Sequence, residues 1–454
     1  MSEELLTQIY NAFDPKRPLE PDDPFYVKCH EVRGDENIIN EVGRKIVRAE
    51  SLTYQLYTGH RGVGKSTELR RLRRYLEEQG RKVIYFEATD HLDNVNVQYT
   101  DILLSCTRHL IKELQDNGDT GALRQWMKSR WQSLKDLALT EITFDNEGTL
   151  DLFGMLSATL RTESNTRQQV RAQINNHSKS LINALNEFIA DAQKNLQAEE
   201  LVIIADNLDR IIPTKVDEDG KTNHDEIFID YSSQMCQLAC NVIYTVPISL
   251  VYSNRVSQLR EIYGDTHVLP MVMVRLQNGT IHPPGLVKLK QSILQRVSQY
   301  TEQPLVPDIF ESEAVLDNLC LISGGQIREL MQLVQTALNW TDELPIRRLA
   351  LLRAISQGQS EYGGAVDEED WERLAEVSIT KRVPNDDRYR GLLFNRCVLE
   401  YRTALTETAA GLQPSTKWHD VHPLIKSTER FDQALKQYQA QLGNRPNQES
   451  GARP

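Results

Sequence analysis

Cysteine is scarce in this 454-residue chain, and its six cysteines (Cys29, Cys106, Cys236, Cys240, Cys320, Cys397) never fall in a C-x-x-C spacing. That pattern argues against a zinc site and for a reduced, cytoplasmic setting. Cys236 and Cys240, one helical turn apart, read as two buried thiols rather than a metal pair. Long apolar runs are also missing. None approaches the roughly 20 residues of a membrane span, and the N-terminus lacks a signal-peptide pattern, so no membrane association is expected. Positive charge is outweighed: Lys+Arg total 52 against 64 Asp+Glu, a net charge of −12. This disfavours wholesale coating of nucleic acid, though a local basic patch stays compatible with it.

What is present is ordinary globular composition, 40% hydrophobic and 26% charged. The length exceeds a single core, so two to four domains are expected. The organising stretch runs from Tyr54 to Leu72. An apolar run, Tyr54 to Tyr57, reads as a buried strand. Gly59-His60-Arg61-Gly62-Val63-Gly64-Lys65-Ser66-Thr67 follows, and a basic helical segment comes after it. This is G-x-x-x-x-G-K-S between strand and helix, the phosphate-binding P-loop or Walker A pattern. Glycines let backbone N–H groups approach phosphate oxygens closely, and the helix N-terminus adds partial positive charge. Lys65 can reach the β- and γ-phosphates, and the Ser66 hydroxyl can ligate Mg2+. The chain is expected to bind a nucleoside triphosphate.

A second motif is Leu201-Val-Ile-Ile-Ala-Asp206-Asn207-Leu208-Asp209. A buried strand delivers Asp206 to its C-terminal end, where ligands sit in parallel α/β sheets. Asp206 is thereby placed to hold Mg2+ as a Walker B aspartate. Another strand, Asn241 to Pro247, brings Thr245 to a position suited to sensing the γ-phosphate or the attacking water.

Elsewhere the chain reads in order as follows. A helix over Glu3 to Phe13 opens an N-terminal arm, 1–28, with prolines at 15, 18, 21 and 24. Arg33-Gly34-Asp35 leads into an amphipathic helix expected to cover the adenine and ribose side. A core over 29–283 includes the strand Lys82 to Glu87 and a mainly helical insertion over about 97–198. Within that insertion, Trp126 and Trp131 are packing anchors, 139–156 is a hairpin, and a polar helix runs from Ser164 to Gln197. Arg161, Arg167 and Arg171 are expected on a solvated face, 214–228 as a loop, and Val268 to Arg275 as a fifth strand. A helical lid over 284–344 contains Ser323-Gly324-Gly325-Gln326-Ile327-Arg328, a glycine turn that opens a helix and offers Arg328 to a γ-phosphate. In 345–442, two strands (Leu392 to Tyr401, Lys417 to Ile425) flanking a longer loop look like the wing of a winged helix. His419 and His422 read as packing or surface residues, and 443–454 as a disordered tail. From 345 to 401 nine Lys/Arg face ten Asp/Glu, so no basic recognition face stands out.

The series Arg33-Gly-Asp-Glu-Asn, GHRGVGKST, VIIADNLD, Thr245 and GGQIR resembles the AAA+-related P-loop ATPases, in particular STAND-type signalling ATPases and origin-recognition ATPases. The resemblance implies an α/β fold with a parallel sheet in the order 5-1-4-3-2, a helical lid carrying Arg328, and ATP with Mg2+ as ligands. One departure matters. Many such enzymes place glutamate directly after the Walker B aspartate; here Asn207 cannot accept a proton. Asp209 or Glu87 would have to substitute, and slow turnover is expected. Three functions follow: a STAND-like regulatory ATPase, of a kind often found in bacterial signalling or anti-phage defence; an origin-recognition-like DNA binder; or an ATPase subunit serving a separate effector. A protein partner is expected, and homo-oligomerisation stays open.

Overall fold

The structure, a computed structural model, describes the chain outside residues 1–2, 89–91, 93–94, 136–152, 155–163, 197–199, 219, 409–410 and 444–454. It forms two compact units: one of residues 37–59 and 66–268, the other of residues 1–36, 60–65 and 269–454. The division crosses the glycine-rich motif twice, between Gly59 and His60 and between Lys65 and Ser66.

The first unit is built on a sheet of β1 (Tyr54–Gly59), β2 (Lys82–Glu87), β3 (Leu201–Asp206), β4 (Asn241–Val246) and β5 (His267–Leu269), ordered β2-β3-β4-β1-β5. Read from the other edge, this is the expected 5-1-4-3-2. Every residue of β3 and β4 is buried, as the continuous Val/Ile runs of a covered parallel sheet require. The β2–β3 register pairs Glu87 with Asp206, so two acidic strand ends lie level. The fifth strand is shorter than expected and ends at Leu269.

Among the described residues, the helical insertion holds helices Tyr99–Leu114, Gly121–Lys135 and Ser164–Leu196. The long helix buries Ile174, Leu181, Leu185, Phe188 and Ile189 at helical spacing. Arg171, expected on its solvated face, turns inward instead and is 5% exposed. Its Nε donates to Asp101 Oδ1 at 3.0 Å and its Nη1 to Asn96 Oδ1 at 2.9 Å, partners that compensate its burial. Trp126 is a packing anchor, with Nε1 donating to Ser180 Oγ at 3.1 Å. The side chain of Trp131, Arg161, and the hairpin expected over 139–156 apart from Phe153 and Gly154, lie outside the described residues. Thr222 and Asp225 cap each other, so helix begins at Asn223 inside the stretch read as loop.

In the second unit, the N-terminal helix (Glu3–Ala12) precedes helices Pro283–Val297, Glu313–Ile322, Ile327–Asn339, Arg348–Gly364 and Asp370–Thr380. An α+β region follows, in which β6 (Val398–Arg402) pairs antiparallel with β9 (Lys417–Val421), and β7 (Thr406–Thr408) with β8 (Gly411–Gln413). The expected strand from Leu392 starts only at Val398, because the Asp386 carboxylate caps a helix over Asp387–Phe394. The strand expected to reach Ile425 stops at Val421. Pro423 at the first helical position and the His422 side chain start a turn of helix there. His419 and His422 are both buried, and His422 stacks on Tyr362 at 4.2 Å. The tail after Gly443 lies outside the described residues.

Candidate functional site

The glycine-rich loop follows β1 and ends where the helix Lys65–Glu78 begins. Gly62 and Gly64 have φ of +81° and +111°, values that only glycine adopts without strain. These turns set the loop's carbonyls against its own side chains and those of the second unit. Lys65 Nζ donates to His60 O at 3.0 Å, and Arg33 Nη2 to Val63 O at 2.8 Å. Both cations are buried, at 6% and 5% exposure. The Arg328 backbone N–H donates to Gly62 O at 3.0 Å, and Gln326 Nε2 donates to Arg61 O. His60 is also enclosed: its Nε2 accepts from the Glu400 backbone N–H at 3.0 Å. Burial pushes the His60 ring down to about 3, so it stays neutral and keeps the lone pair that this bond needs. Arg61 lays its guanidinium over the Phe394 ring at 4.1 Å.

Arg33 and Arg328, singled out from sequence, are thus brought to the loop. Arg33 holds the Val63 carbonyl. The Nε of Arg328 donates to Pro15 O at 3.1 Å, so part of its fork is committed to the N-terminal arm.

In the sheet unit, Asp206 is fully buried. The Ser66 hydroxyl is hydrogen-bonded to it, and the Tyr85 hydroxyl donates to its Oδ2 at 2.7 Å. Burial, and next the charge of Asp209, hold the Asp206 carboxyl above the usual carboxylate range. Mg2+ fits this donor set: the Ser66 and Asp206 oxygens are hard ligands, and a cation there would compensate the buried charge. Thr245 sits level with the strand ends but faces the chain after Asp206. Its Oγ1 accepts from Leu208 N at 3.0 Å, fixing the turn that carries Asn207. Asn207 takes the left-handed conformation, with φ of 67°, and its Nδ2 donates to Glu87 Oε2 at 2.6 Å. Asp209, in the turn that follows, is 5% exposed.

Comparison with known proteins bears on this geometry. Residues 45–220 match the AAA ATPase domain family, a span that takes in Gly59 to Thr67, Glu87 and Asp206 to Asp209. The chain carries an AAA ATPase domain. It is an ATP-hydrolysing enzyme. No curated protein matches the chain. Among solved structures, Cdc6p from Pyrobaculum aerophilum is 11% identical with a TM-score of 0.41, covering 94% of this chain and 98% of that one. The Walker-type ATPase of Pyrococcus abyssi is 14% identical with a TM-score of 0.40, covering 91% and 99%. The Aeropyrum pernix Orc1 protein, solved in complex with DNA, is 13% identical with a TM-score of 0.39, covering 95% and 98%.

Several contributors to the AAA ATPase domain and its surroundings are not evident from motif reading. Tyr85 could have been found: strand alternation puts it on the same face as Glu87, two residues on. Arg70, on the helix that follows the loop, approaches Glu87 Oε1 at 3.5 Å, and its guanidinium lies 5.7 Å from the Tyr85 ring centre. Gln326 and the Glu400 backbone N–H carry no local signal that ties them to residues 61 and 60.

Proposed function

We propose that the chain is a slowly hydrolysing regulatory ATPase of the STAND kind. ATP bound with Mg2+ sets the arrangement of a helical lid (284–344) and a winged-helix-like region (345–442), and through them the binding of a cytoplasmic protein partner or effector. In this reading the loop amides and Lys65 hold the phosphates, Ser66 and Asp206 hold Mg2+, and Arg328 responds to the γ-phosphate.

One observation carries the reading. Within the second unit, the loop that would meet phosphate is already hydrogen-bonded to both later regions: Gly62 O to the Arg328 N–H, and His60 Nε2 to the Glu400 N–H. Phosphates that reposition this loop would act on those bonds, which gives ATP different interaction energies in two arrangements. Differential affinity of that kind is what a ligand needs to shift an equilibrium. Slow turnover fits Asn207, whose amide replaces a proton-accepting carboxylate.

Hydrogen exchange on the full chain, with and without ATP and Mg2+, tests the proposal. Protection of residues 345–425 should rise with ATP in the wild type and not in Lys65→Ala. Unchanged exchange in wild type that binds ATP would overturn it. ATP-dependent binding of duplex DNA that weakens steeply with salt would replace it with the origin-recognition-like function.

A further inference from the structure

We propose that Glu87, at the end of β2, is the water-polarising base of this ATPase, and that Asn207 and Arg70 are its positioning residues. The inference rests on the ATPase reading above and places its missing carboxylate.

The position after Asp206 holds an amide, so the proton acceptor must come from another element. The parallel register puts Glu87 directly beside Asp206 on the neighbouring strand. Its two oxygens are held separately: Oε2 accepts from Asn207 Nδ2 at 2.6 Å, and Oε1 lies 3.5 Å from Arg70 Nη2. A carboxylate has about four lone-pair sites, so two held sites still leave capacity for a water. Asn207 can aim its amide there because it occupies a left-handed conformation, which asparagine tolerates better than most residues. Arg70 is in turn set over Tyr85, whose hydroxyl is bonded to Asp206. One network thus ties the carboxylate that would receive the proton to the one that would hold the metal.

Access separates the two candidates. The Glu87 side chain is 29% exposed, whereas Asp209 is 5% exposed and its charge bears on Asp206. Water must reach a base before the base can polarise it.

The step balances simply. The water oxygen forms a bond to the γ-phosphorus as the bond from that phosphorus to the β–γ bridging oxygen breaks. The broken bond's electron pair stays on ADP. The water proton passes to Glu87 and leaves with the phosphate product.

The test uses the full chain with ATP and Mg2+, measuring affinity by calorimetry and hydrolysis under single-turnover and steady-state conditions. Glu87→Gln should bind ATP as the wild type does and hydrolyse it about 10²–10⁴-fold more slowly. Asn207→Gly keeps the left-handed backbone and removes only the amide. It should lower kcat on the order of ten- to a hundredfold with KM unchanged, the mark of a misplaced group rather than a lost binding contact. Hydrolysis at the wild-type rate in Glu87→Gln overturns the proposal, as does a wild type that binds ATP without turning it over. An Asn207→Gly variant that changes KM but not kcat removes the positioning role. Failure of the wild type itself to bind ATP would instead count against the nucleotide-site reading.

Discussion

Replacing Gly62 and Gly64 by alanine, one at a time, separates what the loop does for the fold from what it does for phosphate. Both glycines have positive φ, so each alanine costs about 1–2 kcal/mol of backbone strain. Their surroundings differ. A Cβ on Gly62 would stand 2.6 Å from Arg328 Cβ, an atom fixed to its backbone, and 3.0 Å from Gln326 Nε2. The helix Ile327–Asn339 would have to lift, releasing the Arg328 N–H to Gly62 O bond and the Gln326 to Arg61 O bond, at about 1 kcal/mol each. Gly62→Ala should therefore lose about 3–4 kcal/mol and Gly64→Ala about 1–2 kcal/mol. A Cβ on Gly64 would meet no atom within 4 Å. In the proposed reading phosphate approaches the loop amides through that open space, so Gly64→Ala should lower ATP affinity by at least about tenfold with the smaller loss of stability. Urea unfolding midpoints and ATP calorimetry on the two variants read both quantities. Equal midpoints, or a Gly62→Ala variant as stable as wild type, would refute the claim that loop and helix are packed in direct contact.

Three further outcomes are expected. Lys65→Ala should abolish measurable ATP binding in calorimetry, since in the proposed reading the ammonium that donates to His60 O is the loop's charge for the β- and γ-phosphates. Arg328→Ala should still bind ATP but lose ATP-induced exchange protection over 345–425. One charge-assisted bond is worth about 1.5–3 kcal/mol, enough to move a balanced equilibrium at least tenfold. Acid should weaken the second unit: burial pushes His60 and His422 down to about 3 and His419 to about 4. A histidine with a depressed folded value contributes stability that is present above about pH 6.5 and lost as pH falls toward those values. At pH 5 the loss is about 2 kcal/mol per ring, by linkage from an unfolded value near 6.5. Within that unit the raised carboxyl of Glu329 acts in the opposite sense, so the rings are best followed directly by NMR. Titration of these rings near pH 6.5 in the folded protein would disprove the assignment.

The parts legible in sequence are those whose physics is local or repeats with a short period. The Gly59-to-Thr67 spacing dictates a loop before a helix start. Unbroken apolar runs dictated β3 and β4, and the long polar helix read from Ser164 is helical over the described residues Ser164–Leu196. Errors clustered where a single cap outweighed the pattern. Thr222 with Asp225 started a helix inside a polar stretch, and Asp386 turned Leu392–Phe394 from expected strand into helix. Arg171 was misread because a charge on a long helix looks solvated until its partner Asp101, 70 positions away, is known.

Sequence alone therefore determined that this chain carries a G-x-x-x-x-G-K-S loop between strand and helix, an aspartate at the end of a buried strand and a glycine turn ahead of Arg328. Each is a statement about residues within one or two turns of one another. Tertiary structure decided what those residues touch. The Glu400 N–H reaches His60 across 340 positions, Gln326 reaches Arg61 across 265, and Asn207 reaches Glu87 across 120. No local propensity encodes such pairs. They exist because strand register and helix packing bring distant backbone together, and a buried polar group then takes whatever partner that packing supplies.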